Sequence, residues 1–183
     1  MNIGVISVRY ARALLKSALE QKIEELVCQD MQNLATSYLR LPQLRTTIDN
    51  PMLAKEDKKK LLLTACGKDH QPLTARFVDL VLGEDRENMI LFMANSYVNF
   101  YRQQRNIICG RLITATAVTP ETEQKMRQMV ENRTNGTVEF ETEVSPDILG
   151  GFILEYDTYR MDASVKTRLN RILKTLKNNN YVR

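Results

Sequence analysis

The sequence contains no tryptophan, a single histidine and three cysteines in 183 residues. Cys28, Cys66 and Cys109 are odd in number and far apart, and no pair has the spacing of a metal site or a redox couple. His70 has no second histidine to join it. This scarcity argues against a zinc centre and against a Cys–His nucleophile. Scattered thiols of this kind fit a reducing compartment. Long apolar runs are also missing. The longest, Met89 to Ala94, is far short of the roughly 20 residues that span a bilayer. The N-terminus lacks the charged, apolar and small-residue succession of a secretory signal. The expectation is a cytosolic chain that reaches a membrane only through a partner.

Catalytic and phosphate-binding patterns are absent too. No glycine-rich turn ends in Gly-Lys-Ser/Thr, and no serine nucleophile motif has a histidine to serve it. Glu139, Glu141 and Glu143 alternate along one expected strand face, where they form a solvated edge rather than an acid–base pair. A binding or scaffolding role is expected: no enzyme, no cofactor, no metal.

The remaining composition is that of a folded protein, with 43% hydrophobic and 26% charged residues. The net charge of +4 is spread thinly. Residues 1–105 hold 15 Lys/Arg against 12 Asp/Glu, and residues 106–183 hold 11 against 10. That is not the charge density of a dedicated nucleic-acid binder.

Two regions of different character meet near Arg105. Residues 1–105 read as all helix. Glycine occurs there only at Gly4, Gly67 and Gly83, while Leu41-Pro42 and Asn50-Pro51 supply further breaks. Six helices fit between the breaks: Ser7 (as a cap) to Gln21, Ile23 to Tyr38, Pro42 to Asp49, Lys55 to Cys66, Pro72 to Leu82 and Glu87 to Gln104. Residues 106–183 read as strand, helix, strand, strand, helix. The strands are Gly110–Val118, Val138–Val144 and Gly150–Tyr156. Thr119-Pro120-Glu121 starts the first helix of this region, and Asn135-Gly136 marks a turn. The last helix, capped by Asp162 or Ser164, carries Val165, Leu169, Ile172, Leu173 and Leu176 on one face. Gly150-Gly151 precedes a strand and suits a tight turn or a close backbone approach.

Two helices carry more apolar surface than one packed face needs. At about 100° per residue, Arg9, Arg12, Lys16 and Glu20 gather on a narrow arc of the first helix. Val8, Tyr10, Ala11, Leu14, Leu15, Ala18 and Leu19 fill roughly half its circumference. In the fifth helix only Arg76 and Asp79 interrupt Leu73, Ala75, Phe77, Val78, Leu80, Val81 and Leu82. Either both helices lie centrally in a bundle, or their outer edges line a groove for another helix. The aromatics of the sixth helix, Phe92, Tyr97, Phe100 and Tyr101, read as core packing rather than base stacking.

Specific residues then resemble a known family. Arg9-Tyr10-Ala11-Arg12-Ala13-Leu14 is similar to the N-terminal signature of the ATP synthase delta subunit and its mitochondrial counterpart, the oligomycin-sensitivity-conferring protein. Asn50-Pro51 followed by Lys58 and Leu61-Leu62 resembles the break before that family's fourth helix, and Arg86 the arginine after its fifth. Gly150-Gly151-Phe152-Ile153-Leu154, Asp162-Ala163-Ser164-Val165 and Leu169 resemble its closing pattern. One departure is visible: many members have Asn in the turn before that arginine, and here it reads Gly83-Glu84-Asp85-Arg86.

The resemblance implies a non-catalytic connector in a proton-translocating ATP synthase, peripheral on the cytoplasmic face of the bacterial inner membrane. A six-helix bundle (1–105) binds the N-terminal helices of the head's alpha subunits, and a small α+β domain (106–183) meets the C-terminus of the stalk b subunits. Matching positions assign Tyr10, Ala13, Leu14, Phe77, Val78 and Val81 to the alpha contact and Phe152, Leu169 and Leu173 to the b contact. The alternative is an RNA-binding or antitermination-type helical protein. Its best support is Lys166, Arg168, Arg171, Lys174, Lys177 and Arg183, with no acid from Ser164 onward. It lacks a Gly-x-x-Gly clamp and an aromatic RNA-binding motif.

Overall fold

The computed structural model describes residues 3–134, 136–156 and 158–179, and the chain divides into two compact units, Met1–Gln104 and Arg105–Arg183. Asn135 of the expected turn and Arg183 of the basic tail lie outside the described residues.

The first unit is helical: α1 (Ile3–Glu20), α2 (Glu24–Arg40), α3 (Pro42–Ile48), α4 (Lys55–Cys66), α5 (Pro72–Gly83), a 3-10 turn at Glu87–Met89 and α6 (Ile90–Gln104). Both α1 and α2 pack along α6, and α4 lies against α2 and α5. The core between them includes Ala11, Leu14, Met31, Leu34, Leu62, Val78, Val81, Ile90, Met93 and Tyr97, all buried. The Tyr97 hydroxyl donates to the Glu24 carbonyl at 3.0 Å, so its polar end is satisfied where its ring is buried. The expected cap at Ser7 is corrected. Val5 and Ile6 continue the helix back to Ile3, and Ser7 is buried inside it.

Polar side chains of α2 fix its neighbours' ends. Helix termini leave backbone groups without intrahelical partners. Asn33 Nδ2 donates to the Cys66 carbonyl at 3.0 Å and Ser37 Oγ to the Ala65 carbonyl at 3.1 Å, closing the end of α4. The buried Asp30 carboxylate accepts from the Gln71 amide at 2.9 Å and from Thr74 Oγ1 at 2.6 Å. A carboxylate at the start of α5 also opposes the positive end of that helix's dipole. Lys58, its side chain only 4% exposed, sits 2.6 Å from Glu87 and ties α4 to the 3-10 turn.

The second unit contains β1 (Ile107–Thr114), α7 (Pro120–Thr134), β2 (Thr137–Val144), a 3-10 turn at Pro146–Ile148, β3 (Phe152–Tyr156), β4 (Tyr159–Asp162) and α8 (Val165–Asn179). The sheet order is β2-β1-β3-β4. Because α7 connects them, β1 and β2 run parallel. The other two pairings, β1 with β3 and β3 with β4, are antiparallel. Leu112 faces Thr142 on one side and Leu154 on the other. With Val130 of α7 and Val138 of β2, Leu112 and Leu154 form a small core. Gly110 lies opposite Phe140, and a Cβ there would come within 2.8 Å of the Phe140 ring.

Three strand expectations change. β1 stops at Thr114 because Thr114 Oγ1 donates to the Thr116 carbonyl at 2.8 Å, turning the chain before residues 115–118 can pair. β3 begins at Phe152 because Gly151 has φ +75°, and a Cβ there would lie 2.4 Å from the Ala163 carbonyl oxygen. The close approach lets the Val165 amide donate to the Gly150 carbonyl at 3.0 Å, seating the start of α8. β4 was not expected, since a four-residue edge strand reading Tyr-Arg-Met-Asp has little apolar alternation.

Candidate partner-binding surfaces

Between α1 and α5 lies an open groove of about 340 Å³. Tyr10, Ala13, Leu14 and Ser17 line it from α1, with Arg9 beside them. Leu73, Arg76, Phe77 and Leu80 line it from α5. Residues 73, 76, 77 and 80 follow the i, i+3, i+4, i+7 spacing of one helix face, as do 10, 13, 14 and 17. The surplus apolar surface of both helices therefore has a location. It is neither filled by the chain's own side chains nor closed over by polar ones.

The expected alpha-contact residues separate into two sets. Tyr10, Ala13, Leu14 and Phe77 come together in the groove. Val78 and Val81 do not: both are 0% exposed and belong to the core. The reason is the helical period. Thr74, Val78 and Val81 form a second stripe of α5, turned from the groove stripe by about 100°. Leu73, Arg76 and Leu80 were missed as groove residues. The same spacing counted from Phe77 finds all three.

The groove wall is held in place by the turn after α5. Asp85 adopts a left-handed conformation, φ +53°, and the Arg86 amide donates back to the Val81 carbonyl at 3.0 Å. This is a Schellman-type helix end. The left-handed position favours Gly, Asn or Asp, and Asp85 meets that preference. Lys55 pairs with it at 2.6 Å, and that hydrogen bond holds the Asp85 carboxyl below its ordinary pKa. The turn delivers Arg86 to Tyr10. Its Nη1 donates to the Tyr10 hydroxyl at 2.7 Å, and the guanidinium lies 5.4 Å from the ring centroid. The Tyr10 ring in turn meets Phe77 edge-on, centroids 6.5 Å apart.

A second apolar surface lies on α8. Leu169, Ile172, Leu173 and Leu176 are 46%, 55%, 53% and 57% exposed. The helix packs mainly against the Pro146–Ile148 turn. Of the expected stalk-contact residues, Leu169 and Leu173 sit on this open face, while Phe152 is half-buried against the sheet core. Asp162 and Ser164 both serve the helix start. Asp162 Oδ1 accepts from the Ser164 amide at 2.9 Å, and Ser164 Oγ accepts from the Thr167 amide at 3.2 Å. Hydrogen bonds from Ser164 and Thr167 hold the Asp162 carboxyl below its ordinary pKa.

Neither surface carries reactive chemistry. Among the described residues no cluster of His, Cys, Asp and Glu could hold a metal ion. The Cys66 thiol is pushed up to about 12, first by burial and then by Asp30, so it is a poor nucleophile.

Residues 6–176 match the family model described as ATP synthase delta (OSCP) subunit. The chain belongs to that family. It is 46% identical over 174 residues to an ATP synthase subunit delta from Phocaeicola vulgatus, a match covering 94% of each chain. An ATP synthase subunit delta from Bacteroides fragilis is 38% identical over 174 residues, again covering 94% of each. A chain of the Toxoplasma gondii mitochondrial ATP synthase hexamer shares the fold, with TM-score 0.68 and 21% identity over 93% of this chain and 96% of that one. The chain is thus a non-catalytic connector subunit of ATP synthase, part of the peripheral stalk. The RNA-binding alternative finds no support among these relatives.

Proposed function

We propose that the α1–α5 groove receives the N-terminal helical segments of the head's alpha subunits, and that the exposed face of α8 meets the C-terminal ends of the stalk b subunits. The observation that carries this is a solvent-open apolar groove built from the two helices with surplus apolar surface. An amphipathic helix docks in such a groove through i, i+3, i+4 and i+7 anchors. The first unit, acting as one six-helix bundle, is the head-binding domain, and the second is the stalk-binding domain. Torque is useful only if the head does not turn with the rotor. Two apolar docking surfaces on one polypeptide resist that turning without any reaction, because tight packing acts mostly by slowing dissociation. Among the described residues no helix is long and apolar enough to cross a membrane, which fits a peripheral place on the cytoplasmic face.

The test is titration with a peptide from the alpha subunit's N-terminus. Phe77 is only 6% exposed, so an aspartate there would damage the core as well as the groove. Leu80 lines the groove and is 54% exposed, which makes Leu80→Asp the cleaner variant. Expected are saturable binding by the unaltered chain, at least about tenfold weaker binding by Leu80→Asp, and unfolding free energies within about 0.5 kcal/mol of each other. Equal binding by both proteins would remove the groove assignment.

A further inference from the structure

We infer that the groove selects its occupant by charge: the helix it prefers has an apolar stripe flanked by Asp or Glu. This rests on the reading that a helix docks there. The floor, including Ala13, Leu14 and Phe77, offers no such selection, since any amphipathic helix presents apolar side chains. The charged residues at the groove do. Arg9 comes from α1 and Arg76 from α5, so the two helices flanking the groove each contribute one cation. No aspartate or glutamate lines the groove.

Several other cations of the first unit are already engaged. Lys55, Lys58 and Lys59 pair with Asp85, Glu87 and Asp79. Arg86 holds Tyr10, and Arg12 lies 5.2 Å from the centroid of the Phe100 ring. Arg9 and Arg76 are exposed, and among the described residues neither forms an ion pair. A helix laid over them displaces part of their water. If it brings carboxylates, charge-assisted hydrogen bonds replace that hydration. Glutamine flanks replace it less well, and lysine flanks add repulsion. Cations at a rim act chiefly on association rate and salt dependence. Each exposed pair is weak, so two together support a preference of about fivefold to tenfold at low salt rather than an absolute one.

The experiment uses the full chain and three synthetic amphipathic peptides with one shared apolar stripe, flanked by Glu, Gln or Lys. Affinity is read by fluorescence anisotropy at about 0.05 M and about 0.5 M salt, where screening of exposed charges differs strongly. Expected is the order Glu, Gln, Lys, with a Glu-to-Gln ratio of about fivefold to tenfold that falls below about twofold at high salt. In the double variant Arg9→Gln with Arg76→Gln, the low-salt ratio also falls below about twofold. Equal affinity for Glu- and Gln-flanked peptides, or an unchanged ratio in the double variant, overturns the charge selection. Leu80→Asp separates this from failure of the groove reading. If it abolishes binding while the flanks make no difference, only the selection is wrong. If it leaves the Gln-flanked peptide bound as before, or if no peptide binds saturably, the groove reading falls and the selection with it.

Discussion

The helices α1 and α8 both carry apolar stripes beside arcs of positive charge, yet they end in opposite situations. In α1, Ala11, Leu14, Leu15 and Ala18 are buried in the core of the first unit, and one edge, at Tyr10, Ala13, Leu14 and Ser17, lines a groove. In α8 the whole stripe from Leu169 to Leu176 remains about half exposed. The difference lies in what each helix has beside it. The first unit surrounds α1 with a continuous core, whereas the second builds a small one from Leu112, Val130, Val138 and Leu154. None of those four residues comes from α8. An apolar face thus becomes core or contact surface according to its neighbours. Docking that covered the α8 stripe would contribute up to about 1 kcal/mol for each half-exposed leucine or isoleucine.

The sharpest way to probe the contrast is to remove side chains from each kind of surface. Leu112→Ala deletes the centre of the small core and should cost about 3 kcal/mol, read as an earlier urea transition of the second unit. A loss under about 1 kcal/mol would mean that this core is not what holds the unit together. Next in size is Asp30→Ala. It removes the acceptor of two hydrogen bonds at the start of α5 and should cost about 2–3 kcal/mol, with faster amide exchange at Gln71. Because α5 is one wall of the groove, weaker peptide binding should accompany it.

Much smaller is the effect expected from Leu169→Ser with Leu173→Ser. Both side chains are already about half in water, so unfolding free energy should stay within about 0.5 kcal/mol. Binding to a peptide from the C-terminal end of the stalk b protein should fall instead. A large loss of stability would show that α8 is core after all and break the comparison.

The smallest effect is a pH dependence at the start of α8. Asp162 has a lowered pKa in the folded chain, so its contribution is complete above the unfolded carboxylate value of about 3.9. It is lost as pH falls through the lower folded value. Amide chemical shifts of Ser164 and Thr167, followed downward through that range, should report the helix start loosening last. Loosening already near neutral pH would contradict the assignment.

Much of this was legible in the chain, and the failures have local causes. Breaks at Pro42, Pro51, Gly67 and Pro72 place the helix boundaries within a few residues, because proline and glycine act on backbone geometry alone. Ser7 misled because a serine caps a helix only where the helix starts, and this one already includes Val5 and Ile6. β4 escaped because its pairing with β3, not its own pattern, makes it a strand. In the groove, Tyr10, Ala13, Leu14 and Phe77 were readable from their positions. Val78 and Val81 were not, because an apolar residue looks the same on either stripe of α5.

The linear order of residues determined where the helices of the first unit break and which family the chain joins. These depend on side-chain type, backbone restriction and spacing, all of which act along the chain. Only the tertiary structure decided which apolar faces stay open to water, that two arginines without an ion pair among the described residues flank the same groove, and that Asp30 reaches across to start α5. Burial and charge pairing depend on neighbours distant in sequence, and those positions are settled only when the helices and strands pack.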